Sequence, residues 1–176
     1  MSAPPAMTES NRGGVDWDRW QPTVRATLLF LRRDGQVLLI KKKTGFGKGK
    51  INGPGGKLDP GETEHDCAIR ETEEELCVKA KAITKRGELW FQFVDGMAMH
   101  VAVFISDNFE GTALETEEAE PLWTPVEEIP FDRMWADDRH WLHRMLTTGE
   151  NFMGRFLFEG DAMLWHEMEW QDSSGA

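Results

Sequence analysis

The sequence is poor in the features that mark secreted and membrane proteins. It contains two cysteines, Cys67 and Cys77, which are too few for a disulfide framework, and we expect both to be unreactive thiols in a reducing compartment. No apolar run approaches the roughly 18–20 residues that a membrane-spanning helix needs. The first ten residues also lack the basic start and the apolar stretch of a secretory signal. These absences predict a cytoplasmic protein without a membrane partner.

Tyrosine is absent, and basic residues are fewer than acidic ones. With 20 Lys and Arg against 31 Asp and Glu, the net charge is −11. An acidic surface repels nucleic-acid phosphates, so we expect no duplex nucleic acid as a partner. A small phosphorylated ligand remains compatible with this charge, because a bound divalent cation reverses the local sign. The eight Trp and ten Phe are expected mainly in the core, with one or two available to line a base pocket.

The length of the chain limits the number of domains. A chain of 176 residues fits one domain, and a hydrophobic fraction of 40% is enough for a core. Residues 1–21 carry Pro and Gly with little periodicity and are predicted to be a flexible leader. We expect a monomer whose folded domain spans residues 22–170 and is followed by a flexible tail at residues 171–176.

Turn signals and hydrophobic periodicity divide this domain into strands and two helices. Pairs of predicted strands flank the turns at Asp34-Gly35, Asp95-Gly96 and Gly160-Asp161. The predicted strands are residues 23–31, 36–41, 89–94, 97–106, 122–126, 152–159 and 162–169. The predicted helices are residues 62–78 and 134–146, and residues 44–61 and 107–120 are predicted to be loops. Strands interleaved with two helices predict an α/β fold with a mixed sheet between helices.

Acidic residues cluster within the first predicted helix. At about 100° per residue, Glu71, Glu74 and Glu75 fall on one helical face. Like charges at this spacing are mildly unfavourable unless a cation lies beside them, and a hard divalent cation takes oxygen ligands. Taken alone, a solvated acidic face with Arg70 and Lys79 as partners explains the pattern more simply.

A glycine-rich segment before this helix favours the metal interpretation. The run Asn52-Gly53-Pro54-Gly55-Gly56-Lys57 lets the backbone come close to a ligand. Gly61 then precedes the predicted helix start. A glycine-rich turn that leads into a helix with clustered carboxylates predicts a platform for a metal ion and a pyrophosphate group.

Residues 56–78 resemble the Nudix box, G-x5-E-x7-R-E-U-x-E-E-x-G-U, where U is a bulky aliphatic residue. The matching positions are Gly56, Glu62, Arg70, Glu71, Glu74, Glu75 and Val78. Two positions depart, because Thr72 replaces the aliphatic residue and Cys77 replaces the glycine. Since glycine most easily ends a helix in the left-handed conformation, we expect the loop after Cys77 to differ.

The resemblance implies a Nudix-type α/β/α sandwich and a pyrophosphohydrolase that uses Mg²⁺ or Mn²⁺. It assigns the metal to Glu71, Glu74 and Glu75, with help from a carbonyl of Gly55 or Gly56. One of these glutamates would act as the base, Arg70 would orient a catalytic glutamate, and Glu62 would support the junction of loop and helix. Lys42 and Lys57 would balance phosphate charge, although ordinary surface lysines explain them equally well.

Over residues 23–169 the chain is also similar to the MutT-related oxidised-purine nucleoside triphosphatases of the mammalian MutT-homologue type. The segments that carry this similarity are residues 41–47, 52–57, 91–93, 100–101, 129–138 and 154–169, together with Trp141. The similarity implies a base pocket in which polar side chains read the base edges, aromatic side chains wall the ring, and one more carboxylate lies near the metal. The polar set is Asn52, Asp137 and Asp138, the aromatic set is Phe46, Phe91 and Trp135, and the extra carboxylate is Glu118. Leu28, Met97 and Trp141 are further candidates for the lining, and the departures are Pro54 and Ala136.

The pocket residues also suit ordinary structural roles when only their local sequence is considered. Asp137 and Asp138 fit the start of a helix, where carboxylates meet the positive end of the dipole. Phe91 and Phe93 alternate on one strand face, and core packing explains them and Trp135 as well. In the pocket interpretation, two adjacent carboxyls repel, so one keeps a proton and donates while the other accepts.

The expected function is hydrolysis of oxidised purine nucleoside triphosphates, such as 8-oxo-dGTP, to the monophosphate and pyrophosphate. One alternative is a Nudix hydrolase of another nucleoside diphosphate derivative, such as ADP-ribose, a dinucleotide or an RNA 5′ end. A second alternative is a non-catalytic module that senses nucleotides. The intact glutamates disfavour a sensor, which has no need of metal ligands.

Overall fold

The computed structural model describes residues 11–172, so the remaining residues of the predicted leader and tail lie outside the described part. The strands are β1 (Asn11–Arg12), β2 (Val15–Asp16), β3 (Val24–Arg33), β4 (Gln36–Lys42), β5 (Ile51–Asn52), β6 (Gly55–Lys57), β7 (Lys79–Lys81), β8 (Thr84–Phe93), β9 (Ala98–Ser106), β10 (Asn108–Glu110), β11 (Ala119–Pro125), β12 (Glu150–Glu159) and β13 (Ala162–Asp172). The α-helices are α1 (Glu64–Leu76) and α2 (Leu142–Thr147). No helix within residues 11–172 is both long enough and apolar enough to cross a bilayer.

Nine strands of the described chain form one mixed sheet. Its main order is β11-β4-β3-β9-β8-β12-β13, and β5 and β6 pair with β4 and β3 respectively. The pairs β3–β9 and β8–β12 are parallel, whereas β4 with β11, β8 with β9 and β12 with β13 run antiparallel. The predicted mixed sheet is therefore confirmed.

Each face of the sheet carries its own core. On β3, Leu29 and Leu31 point toward α1 and pack with Ala68, whereas Phe30 points to the opposite face and packs with Trp141 near α2. Full burial of a leucine or phenylalanine side chain contributes about 1.5–3 kcal/mol, so both faces stabilise the sheet strongly. The α/β/α arrangement expected from the sequence is confirmed.

Helix α1 has well-defined ends. Thr63 caps its start, where the Thr63 Oγ1 accepts a hydrogen bond from the Asp66 N–H at 3.1 Å. At the other end Cys77 takes the left-handed conformation itself, with φ 62° and ψ 25°, and its N–H bonds to the Glu73 carbonyl. The replacement of glycine at this position therefore leaves the helix end in place. Thr72 is buried, and its hydroxyl donates to the Ala68 carbonyl at 2.9 Å.

The second predicted helix, residues 134–146, is wrong over most of its length. Only Leu142–Thr147 is α-helical, and Phe131–Arg133 and Asp138–His140 are single 3₁₀ turns. Met134 between these turns is extended, with φ −111° and ψ 176°. Tertiary burial explains the difference, because this path places Asp137 and Trp141 inside the protein. The predicted loop 107–120 also differs, since it contains β10 and the first residues of β11.

The structure also differs from the predicted flexible leader over residues 11–20. There β1 and β2 form a small antiparallel hairpin, and the side chain of Trp17 is only 3% exposed. Its ring packs against Trp165 of β13 and Trp90 of β8. Aromatic burial against distant strands holds this segment, and hydrophobic periodicity within the segment does not reveal such contacts.

Candidate active site

Three carboxylates converge beside the start of β6. Glu71 and Glu75 of α1 and Glu118, just before β11, each place one oxygen within 4.8 Å of the others. The loop of Glu118 is tied to the helix, because the Thr116 hydroxyl donates to the Glu75 carbonyl at 2.7 Å. The Lys43 N–H donates to the Glu118 carbonyl at 2.9 Å and fixes the same loop from β4. Hydrogen bonds thus bring together residues that are far apart in the sequence.

The electrostatics of this carboxylate cluster favour a cation. Burial, with repulsion from Glu71 as the next contribution, raises the pKa of Glu75 to about 8. Burial is also the main cause that raises the pKa of Glu71. The Glu75 Oε2 is buried and has no hydrogen-bond partner among the described residues. An orphaned carboxylate oxygen beside two further carboxylates fits a hard divalent cation, which takes oxygen ligands and removes the repulsion.

Glu74 lies outside this cluster. Its side chain is 48% exposed, and its Oε2 accepts a hydrogen bond from Arg70 Nη1 at 3.1 Å. Glu71 and Glu75 are four residues apart and lie one above the other on the helix, whereas Glu74 lies closer to Arg70. The structure therefore brings two of the three helical glutamates together with Glu118 and leaves Glu74 at the edge.

Arg70 connects the helix to the loop before it. It forms a bidentate pair with Glu62 at 2.7 and 2.8 Å, and its Nη1 donates to Glu71 at 2.9 Å. Its Nη2 also donates to the Lys57 carbonyl at 3.1 Å. The hydrogen bonds from Arg70 hold the pKa of Glu62 at about 2, so Glu62 stays ionised. These hydrogen bonds from Arg70 hold the Glu71 carboxylate in a fixed direction.

Close contacts leave no free space for a side chain at either glycine of β6. A Cβ at Gly56 would lie 2.3 Å from the carboxyl carbon of Glu71, and a Cβ at Gly55 would lie 1.9 Å from the Thr27 carbonyl oxygen. A hydrogen bond from the Gly55 backbone partly offsets the raised pKa of Glu75. The structure therefore places Gly55 beside the carboxylate cluster. The family resemblance predicts that the Gly55 carbonyl and these carboxylates bind the same metal ion.

A pocket of ≈ 140 Å³ opens next to the carboxylate cluster. Its lining includes Gly55, Gly56 and Lys42, and also Asn52 and an aspartate pair. The apolar lining consists of Ala26, Leu28, Ile40, Phe46, Leu89, Phe91, Phe93, Met99, Val101, Trp135 and Phe158. One concavity thus brings Asn52 and the aspartate pair together with the glycines beside the candidate metal site.

Asp137 and Asp138 are the aspartate pair, and both are buried, at 2% and 7% exposed. The Trp141 indole N–H donates to the Asp137 Oδ2 at 2.9 Å. Burial raises the pKa of Asp137 to about 6, and burial followed by repulsion from Asp137 raises the pKa of Asp138 well above its ordinary value. The pair therefore holds a proton near neutral pH, so it presents one donor and one acceptor. The pair does stand at the start of the 3₁₀ turn Asp138–His140, but the Asp137 side chain makes no capping hydrogen bond to that turn.

The aromatic residues form walls around the pocket. Phe46 and Trp135 stack on each other, with ring centroids 5.0 Å apart and an interplanar angle of 16°. They form one continuous wall, because this spacing leaves no room for a base between them. Phe91 stacks on Phe156 at 5.1 Å and belongs to a second wall on β8. The predicted aromatic set therefore lines a single pocket.

The structure sorts the remaining candidates. Leu28 lines the pocket, whereas Trp141 lies fully buried behind Asp137 and Met97 packs against the core. Phe158 is a lining residue that the sequence did not single out. It lies beside Phe93 because β8 and β12 pair in parallel, and that register has no local signal.

Comparisons with known proteins show which family the chain resembles. The NUDIX domain family model matches residues 21–145. An oxidized purine nucleoside triphosphate hydrolase of Danio rerio is 41% identical over 145 residues, which cover 81% of this chain and 92% of that protein. The protein of the same name from Mus musculus is 38% identical over 149 residues, or 84% of this chain and 95% of that protein. The crystal structure of a mutator MutT protein from Bacillus halodurans has a TM-score of 0.74 at 25% identity and covers 83% of this chain and 97% of its own.

Proposed function

Because this chain belongs to the Nudix family of hydrolases, we propose that it hydrolyses oxidised purine nucleoside triphosphates to the monophosphate and pyrophosphate. One observation carries the proposal: the pocket that contains the buried aspartate pair is also lined by Gly55 and Gly56, and Gly56 contacts the Glu71 carboxylate of the cluster. A base held beside the aspartate pair would direct its phosphates toward that cluster.

The aspartate pair supports recognition of a base oxidised at C8. Oxidation at C8 turns N7 of guanine from an acceptor into a donor. An ionised carboxylate of Asp137 or Asp138 accepts from that N–H, while the protonated partner donates to a base carbonyl. Unmodified guanine would turn a lone pair toward the buried carboxylate, and a buried acceptor left without a donor costs about 1–3 kcal/mol. Asn52 offers a further amide in the same pocket.

The carboxylate cluster fits a divalent cation, which we propose to be Mg²⁺ or Mn²⁺. Glu71, Glu75 and Glu118 would hold it, with the Gly55 carbonyl as a further ligand and Glu74 beside them. When bound, such a cation neutralises phosphate oxygens and lowers the pKa of a water molecule.

The remaining roles fall to side chains around the cluster. One of Glu71, Glu74 and Glu75 takes the proton of the attacking water. Arg70 keeps the Glu71 carboxylate aligned through its 2.9 Å hydrogen bond. Lys42 lines the pocket and its charge acts on Glu75, so it is placed to balance phosphate charge.

We further propose that residues 22–170 form the catalytic domain and act as a monomer in the cytoplasm. The net charge of −11 disfavours duplex nucleic acid and favours a small substrate that binds with a cation. Both cysteines within the described residues are free, which suits a reducing compartment. Light scattering at micromolar concentration tests the oligomeric state, and a mass near 20.1 kDa is the expected result.

The function is tested by turnover of 8-oxo-dGTP, 2-hydroxy-dATP, dGTP and ADP-ribose side by side with Mg²⁺ and by analysis of the products. We expect kcat/KM for the oxidised purines to exceed that for dGTP by at least about tenfold, which corresponds to roughly 1.4 kcal/mol of discrimination. Pyrophosphate and the nucleoside monophosphate are the expected products. Preferred cleavage of ADP-ribose would support the alternative of a Nudix hydrolase that acts on another nucleoside diphosphate derivative. Binding of these nucleotides without turnover would support a nucleotide-sensing module.

A further inference from the structure

Residues 11–20, which we call the N-terminal strap, precede the residues 21–145 that match the family model. The strap lies across β8 and β13 and completes a group of four tryptophans, Trp17, Trp20, Trp90 and Trp165. Trp20 stacks on Trp90 with centroids 4.9 Å apart and an angle of 13°, and Trp17 stacks on Trp165 at 5.9 Å. A Cβ at Gly13 would lie 2.3 Å from the Trp165 ring, so the strap is in close contact with the sheet.

The strap lies directly behind one wall of the base pocket. Side chains alternate between the two faces of a strand, and β8 follows this rule. Phe91 and Phe93 line the pocket, whereas Trp90 and Gln92 face the strap. The strap and the pocket are therefore separated by the thickness of a single strand.

A short chain of contacts joins the strap to the pocket. The Trp20 indole N–H donates to the Gln92 Oε1 at 3.0 Å. The Gln92 Nε2 donates to the Phe93 carbonyl at 2.9 Å and to the Met97 carbonyl at 3.4 Å, so Gln92 fixes the turn between β8 and β9. The Phe93 ring in turn meets the ring of Phe46 edge-on at 5.9 Å.

We propose that Trp20 and Gln92 are positioning residues for base recognition, which hold the end of β8 so that Phe93 keeps the pocket wall in place. This inference rests on the proposed function. A strap that only buried apolar surface would lower the free energy of unfolding when weakened and leave the affinity for the base unchanged. The hydrogen bond from Trp20 to Gln92 is the feature that distinguishes the two roles.

The test compares Trp20→Phe, Gln92→Leu and the double variant in the full chain. Trp20→Phe keeps an aromatic ring and removes the N–H donor, and Trp17→Phe is the matched control on the same strap. The Trp17 N–H donates to the Arg12 carbonyl within the strap and does not reach Gln92. The probes are 8-oxo-dGMP and dGMP, whose dissociation constants are measured by calorimetry, together with hydrogen exchange of the turn between β8 and β9.

We expect each single variant to raise the Kd for 8-oxo-dGMP by about fivefold, near the effect of one lost hydrogen bond. The double variant should show little further loss, because both substitutions break the same contact. Exchange in the turn should become faster for Trp20→Phe and remain as in the wild type for Trp17→Phe.

Unchanged affinity for 8-oxo-dGMP in Trp20→Phe would overturn the inference whether or not the turn exchange changes, and so would fully additive losses in the double variant. A wild type that binds 8-oxo-dGMP no better than dGMP would refute the proposed function. In that case the exchange data still decide whether Trp20 positions the end of β8.

Discussion

Replacing Asp137 by asparagine should make the protein more stable and a poorer enzyme. Asp137 is 2% exposed, and burial raises its pKa from the ordinary 3.8 to about 6. Each tenfold change in proton affinity corresponds to 1.36 kcal/mol, so ionising Asp137 beside Asp138 in the folded protein costs on the order of a few kcal/mol more than in the unfolded chain. This cost lowers the free energy of unfolding at every pH at which the Asp137 side chain is ionised in the folded protein.

The stability that Asp137→Asn gains depends on pH. Because the folded-state pKa is raised, the unfolded chain releases its proton first, and the penalty is absent below about pH 4. It grows as the pH rises through about 6 and is complete near pH 8. In Asp137→Asn the amide would keep the shape and an oxygen for the Trp141 N–H, but this neutral hydrogen bond is weaker by about 1 kcal/mol. We therefore expect a net gain of about 1–3 kcal/mol at pH 8 and almost none at pH 4.

Urea unfolding of the wild type and of Asp137→Asn at pH 4 and pH 8, followed by tryptophan fluorescence, measures this difference. Asp132→Asn is a suitable control, because Asp132 is exposed and pairs with Arg139 at 3.0 Å. That variant should be destabilised at pH 8 by less than about 1 kcal/mol. The same Asp137→Asn variant should lose at least about tenfold in kcat/KM for 8-oxo-dGTP. A variant that is no more stable at pH 8, or whose gain is the same at both pH values, would show that burial of Asp137 carries no such penalty.

Three further substitutions test other parts of the structure. Cys77→Gly should raise the free energy of unfolding, measured in urea, by about 0.5–1 kcal/mol. Glycine removes the strain of the left-handed backbone at this position, and this gain exceeds the larger conformational entropy that a glycine loses on folding. A loss of stability would contradict this. Gly56→Ala should lower turnover at least about 10²-fold with little change in Tm, because the Cβ of the alanine would displace the Glu71 carboxylate. A variant that keeps half of the wild-type turnover would contradict this. Trp135→Ala should raise KM for 8-oxo-dGTP about tenfold with kcat nearly constant, because it removes a stacking wall. An equal loss in kcat would place Trp135 elsewhere in the reaction.

Local sequence predicts the parts of the fold that depend on interactions between residues close together in the chain. The turns at Asp34-Gly35 and Asp95-Gly96 locate two hairpins, and the ends of their strands agree with the structure within about five residues. The helical spacing of residues 62–78 locates α1, and only its ends differ, because Thr63 caps the helix in the structure and the helix begins at Glu64. By contrast, the region from Met134 to Trp141 has apolar residues at helical spacing but follows a non-helical path, because burial of the aspartate pair determines its course.

The candidate site is only partly predictable from the sequence. The spacing of Glu71 and Glu75 places both carboxylates on one helical face, and the structure shows them in one cluster. The same spacing also includes Glu74, but it does not reveal that Arg70 holds this side chain apart. The positions of Glu118 and Phe158 depend on loop contacts and strand register, which are long-range features. The resemblance to a family supplied Glu118, and only the structure supplied Phe158.

The proposed metal-binding role of the carboxylate cluster is tested most directly with the Glu75→Gln variant. The two measurements are Mn²⁺ binding and Mg²⁺-dependent turnover of 8-oxo-dGTP. Glu75 is 4% exposed within the cluster, whereas Glu73 is an exposed residue of the same helix and provides the control Glu73→Gln. We predict that Glu75→Gln weakens Mn²⁺ binding and lowers turnover at least about 10²-fold while the protein stays folded, and that Glu73→Gln changes neither. A folded Glu75→Gln protein that binds Mn²⁺ and turns over 8-oxo-dGTP like the wild type would contradict the role of the cluster.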